Sequence, residues 1–93
     1  MTTKEDLPTA TQMLPTLLQC LTDLGREGTV REIEGLVAQK LNMSADQLAV
    51  PHDKSRTEFQ YRLAWTRTYA KRDGLVTSRM RNRWELAQPT TGA

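Results

Sequence analysis

Cysteine, histidine and aromatic residues are scarce in these 93 residues, and each scarcity excludes something. The single cysteine, Cys20, cannot close an internal disulfide, which fits a reducing compartment. It falls inside an apolar helical pattern, where a thiol packs rather than reacts. The single histidine, His52, has no set of partners at metal-ligand spacing, so it reads as a loop residue and no metal or cofactor is implied. No apolar run approaches the roughly 18 residues of a membrane span, and no signal peptide is visible, so the expected location is the cytoplasm. There is no nucleophile–base pair and no glycine-rich phosphate loop, so an enzyme is not expected. What remains is 38% hydrophobic and 26% charged, the composition of one ordinary globular domain.

The net charge of +2 conceals an asymmetry. Residues 1–51 hold four bases against seven acids, whereas residues 52–83 hold nine bases against three acids. A basic half on a weakly charged chain is the electrostatic footprint of a polyanion binder.

Along the chain, residues 1–6 are polar and read as a frayed lead-in, with the domain proper at 7–87. Thr9 or Thr11 can cap a first helix whose stripe is Met13, Leu14, Leu17, Leu18, Leu21 and Leu24; Pro15 is tolerated in its first turn. Gly25 ends it. The chain at Arg26 to Gly28 is placed to pair with a later hairpin as a minor strand. Thr29 with Glu32 is a capping box for a second helix carrying Val30, Ile33, Leu36, Val37 and Leu41. Gly35 inside that helix suggests a close helix crossing. Ser44 with Gln47 caps a single turn that Pro51 closes. Ser55 with Glu58 reads as the cap of the main, third helix, and Gly74 as its C′ residue. A β-hairpin follows, in which Trp84 and Leu86 alternate with Arg83 and Glu85 around a basic tip, Arg79 to Asn82. Asn82 tolerates the positive φ of a tight turn. Residues 88–93 read as a tail or linker. The order is helix, helix, short turn, helix, hairpin: a mainly α winged helix of three helices and a two-stranded wing.

The third helix carries the functional argument. At about 100° per residue, Phe59, Arg62, Leu63, Thr66, Tyr69 and Ala70 share one side, with Trp65 at its margin. Phe59, Trp65, Tyr69 and, on the hairpin, Trp84 are expected in the core. Arg62 is expected to pack its stem and send its head to a carboxylate or to helix-end carbonyls. Arg56, Gln60, Arg67, Thr68 and Lys71 form the opposite side, around the small Ala64. A flat, positive helix face suits a DNA major groove about 12 Å wide. Gln60 and Arg67 have forks for adenine and guanine edges, and Arg56, Thr68 and Lys71 suit phosphates. Arg79, Arg81 and Arg83 would place the wing on flanking phosphates or in a minor groove. Tyr61 is the one aromatic expected at the surface.

These blocks resemble the N-terminal winged-helix domain of Mrr-type restriction endonucleases, proteins that cut modified DNA. The likeness rests on Leu7-Pro8, Met13-Leu14-Pro15 and Leu17-Leu18, on Arg31-Glu32-Ile33, on the run from Arg62 to Leu75 that includes Trp65, Tyr69 and Gly74, and on Arg81-Asn82-Arg83-Trp84. It spans about residues 7 to 87. Two positions depart from the family pattern: Asn82, where glycine is common, and Ala70, where a larger apolar residue is common. The family's nuclease half pairs an acid with a Glu/Gln-x-Lys, and no acid or glutamine here has lysine two residues on. The resemblance therefore implies a double-stranded DNA-binding module without its cutter, joined or separate. The alternatives are a stand-alone transcriptional regulator, and a protein-interaction or homodimerisation module using the first helix or the wing.

Overall fold

The computed structural model describes residues 2–87. The elements are α1 (Leu14–Asp23), β1 (Glu27–Thr29), α2 (Val30–Lys40), α3 (Ala45–Ala49), α4 (Glu58–Arg72), β2 (Val76–Thr77) and β3 (Arg83–Leu86). The single turn expected after Ser44 is thus the five-residue α3, and the main helix is α4. Residues 88–93, expected as a tail, lie outside the described residues.

Caps set the helix starts. Thr29 and Glu32 exchange hydrogen bonds ahead of α2, and Ser44 and Gln47 do so ahead of α3. Before α1, Thr9 and Gln12 make the same reciprocal pair around a preliminary turn, and the helix proper starts at Leu14. The start of α4 differs from the expected Ser55–Glu58 box. Asp53 Oδ1 accepts from the Ser55 N–H (2.8 Å), the Ser55 hydroxyl (2.9 Å) and the Arg56 N–H (3.0 Å), so Ser55 closes a side-chain turn instead. The cap passes to Thr57 and Gln60. At the far end Gly74 takes φ +76°, which a side chain would oppose.

The core is one cluster in which Met13, Leu17, Cys20, Leu21, Ile33, Val37, Leu63 and Ala70 are fully buried, with Phe59 and Val76 close behind. Each fully buried large aliphatic side chain contributes about 1.5–3 kcal/mol. The Cys20 thiol is packed, and burial raises its pKa, only partly offset by Lys40. Gly35 does not mark a crossing: a Cβ there would meet nothing within 4 Å, and the residue faces solvent.

β1 and β2 both pair antiparallel with β3, giving a three-stranded sheet in the order β1-β3-β2. Gly28 lies opposite Trp84 in this register. Trp84 and Leu86 pack on the core, and Asn82 turns the wing tip at φ +63°. The mainly helical fold with its small sheet is the expected winged helix. Residues 4–6, expected to fray, form a capped 3-10 turn. The segment that follows is tied along α4 by its carbonyls: Leu7 O and Pro8 O accept from Arg62, and Ala10 O accepts from Thr66.

Candidate nucleic-acid interface

Burial along α4 fixes which side is free. Glu58, Phe59, Leu63, Thr66 and Ala70 are buried. At about 100° per residue, the opposite side centres on Tyr61, Ala64, Trp65, Thr68 and Arg72, with Lys71 at one margin. Phe59, Leu63, Thr66 and Ala70 are buried as expected, but Gln60 and Arg67 leave the free side and Tyr61, Trp65 and Arg72 join it. The consequences differ residue by residue.

Thr68 and Lys71 are exposed, as expected, although the Thr68 hydroxyl donates to Ala64 O at 3.0 Å. Arg56 is exposed in the loop before the helix, its guanidinium 5.3 Å from the Tyr61 ring centroid. The His52 ring also stacks on Tyr61, at 3.6 Å with an 11° interplanar angle. Gln60 does not offer its amide as a free fork. Its Oε1 accepts from the Thr57 N–H at 3.0 Å as part of the cap.

Arg67 departs furthest. Its guanidinium lies inward, 5.6 Å from the ring centroid of Trp84 on β3, and neither Nε nor Nη1 has a hydrogen-bond partner or contact with solvent. Burial lowers its pKa, with Glu34 pulling the other way. An arginine remains charged in any protein setting, so this is a cation held on an aromatic face. Helical spacing alone ranks position 67 as peripheral to the core; it does not reveal that Trp84 fills the space beside it.

Trp65 is the reverse case. Expected in the core, it is 43% exposed. The carbonyls of the 7–10 segment satisfy Arg62 and Thr66, while the neighbouring indole stays open to solvent. Trp65 stands 5.7 Å from half-buried Tyr69, and Arg72 covers Tyr69 at 5.0 Å. Tyr61 is therefore not the only aromatic residue at the surface. Phe59 is core and Trp84 packs against it.

Arg62 reaches both kinds of acceptor anticipated for it. Its Nε donates to Glu58 Oε2 at 2.7 Å, and Nη1 to Leu7 O at 3.0 Å and Pro8 O at 3.2 Å. Glu58 is only 5% exposed and also meets His52 Nδ1 at 2.9 Å and Lys4 Nζ at 3.5 Å. Burial is the largest influence on this carboxyl and raises its pKa, but the hydrogen bonds from Arg62 and His52, with the charges of Arg62 and Lys4, outweigh it. The net shift is downward.

On the wing, two of the three arginines already hold acids: Arg79 pairs with Glu85 at 2.8 Å, and Arg83 with Glu27 at 2.6 Å. Arg81 is exposed at the tip and has no ion pair among the described residues. Such exposed pairs are worth about 0–1 kcal/mol, so an arriving phosphate can compete for them. Among the described residues there is no cluster of three metal-ligating side chains, and no helix is long and apolar enough to cross a membrane.

The family model for the Mrr N-terminal domain matches residues 11–91, spanning α1 through the wing. The chain belongs to the Mrr N-terminal domain family. That links it to Mrr-type restriction proteins, through their N-terminal domain and not through their nuclease domain. Neither curated proteins nor solved structures gave a match. In this Mrr N-terminal domain the exposed cations Arg56, Lys71, Arg72 and Arg81, among others, border the free side of α4 and the wing tip.

Proposed function

We propose that this domain binds double-stranded DNA without cutting it, as the DNA-targeting part of an Mrr-like restriction protein whose nuclease is fused or separate. The free side of α4 enters the major groove with Ala64 at its centre, where a small side chain permits close approach. Arg56, Thr68 and Lys71 meet phosphates on either side. Arg81 takes the flanking backbone, and Arg79 and Arg83 join by exchanging their acids for phosphate.

The observation supporting this reading best is the placement of charge. Arg56, Lys71 and Arg81 have no ion pair among the described residues, and Arg72 has only its neighbour Asp73. All four are exposed. Neutralising about four to six phosphates gives a slope of log affinity against log salt of about −4 to −5. Anisotropy of a labelled duplex, titrated across salt concentrations, measures it. A slope near zero would remove the proposal. Incubation with plasmid and magnesium is expected to leave the DNA intact.

A further inference from the structure

Arg67 is the one cation on α4 whose resting place leaves hydrogen-bonding capacity unused. Lys71 is exposed, Arg56 lies over Tyr61, and Arg72 covers Tyr69 and pairs with Asp73. Arg62 is fully engaged by Glu58 and two carbonyls. Arg67 has Nε and Nη1 sealed from solvent with no acceptor within reach. The Trp84 ring lies 5.6 Å from its guanidinium, and no carboxylate lies within ion-pair distance among the described residues. A guanidinium over an aromatic ring gains some attraction, but buried donors without acceptors work against it.

The position of the residue matters as much as its burial. Arg67 sits on the flank of α4 that faces β3, one turn before Lys71 on the same flank. That flank lies between the free side of the helix and β3, on which Trp84 stands. An arginine side chain has several rotatable bonds, and off the ring its guanidinium offers five donors.

We infer that Arg67 is a DNA ligand held in reserve: folded onto Trp84 in the free protein, and released to a phosphate between α4 and the wing when DNA binds. The inference rests on the DNA-binding reading above. Release replaces a ring partner with a doubly hydrogen-bonded phosphate, the geometry for which a guanidinium is best suited. It also ties wing and helix together, because Trp84 belongs to β3 and loses its cation only when the helix side is occupied.

The test uses the full chain and a labelled duplex. Anisotropy reports binding, while 15N NMR follows the Trp84 indole N–H and the Arg67 Nε–H. On saturation with DNA both signals are expected to shift, the Trp84 signal toward its position in free Arg67→Met, where no cation covers the ring. Arg67→Met keeps an apolar stem over Trp84. It is expected to weaken binding about tenfold and to reduce the salt slope by about 0.9, the share of one phosphate. Saturable binding with unmoved Trp84 and Arg67 signals, or with an unchanged slope in Arg67→Met, would overturn the inference and leave the DNA-binding reading standing. No binding by anisotropy would overturn both.

Discussion

Replacing Arg62 with alanine should cost stability rather than DNA affinity. One guanidinium joins three partners: the Glu58 carboxylate at 2.7 Å, and the carbonyls of Leu7 at 3.0 Å and Pro8 at 3.2 Å. Removing one member of a fully buried ion pair costs about 3–5 kcal/mol, because a charge is left behind. Here the arginine side chain is 21% exposed, and Glu58 retains His52 and Lys4, so the figure must be discounted. Loss of the two carbonyl contacts loosens the 7–10 segment, which adds to the cost. The balance is about 2–3 kcal/mol, a large share of the 5–15 kcal/mol typical of a domain. For a chain of this size that lowers the melting temperature by about 10–20 °C. Thermal unfolding followed by circular dichroism measures it, and a double-mutant cycle with Glu58→Gln should show coupling of about 1 kcal/mol or more. A fall of less than about 3 °C would refute the assigned role, since by the same scaling it means under about 1 kcal/mol. A large loss of DNA affinity at a temperature where both forms are folded would show that the guanidinium faces outward after all.

Further outcomes follow from the same geometry. Gly35→Ala should stabilise the domain by about 0.5–1 kcal/mol, because the added methyl meets nothing and helix propensity improves. Gly74→Ala should destabilise it by about 1–2 kcal/mol, because φ is +76° there; denaturant titration checks both. Glu58 has a depressed pKa in the folded state, so its stabilising contribution is complete above the ordinary glutamate range and is lost as pH falls through the lower folded value. Melting temperature against pH should show that acid limb in the wild type and a weaker one in Glu58→Gln. Glu85→Gln frees Arg79 and should tighten DNA binding at low salt by up to about fivefold, as read by anisotropy.

The elements of this fold were largely legible because they are written in local chemistry. Capping boxes at Thr29 and Ser44, Gly74 at a helix end and Asn82 at the wing tip each depend on a few neighbouring residues. The pairing of β1 with β3 was also foreseeable from its place before α2. What sequence periodicity missed depends on distant partners. Ser55 was claimed by Asp53, so the cap moved to Thr57. An indole is typical of a core, yet Trp65 stands exposed on α4 beside half-buried Tyr69. Phe59, Leu63, Thr66 and Ala70 are buried on the side that helical spacing assigns them. Arg67 lies inward because of Trp84, which is 17 positions away in sequence. Gly35 suggested a crossing, yet nothing approaches it. Residue types on a helix indicate its character; only the neighbouring elements decide which side chains they cover.

The central claim is that the free side of α4 and the wing tip together meet a DNA duplex. Amide chemical-shift mapping during titration with a short duplex tests it most directly. Shifts are expected at residues 56, 61, 64, 65, 68, 71 and 72 and across 79–82, while the outer side of α1 stays unchanged. Unmoved amides along α4 and the wing at saturating DNA, or shifts confined to α1, would contradict it.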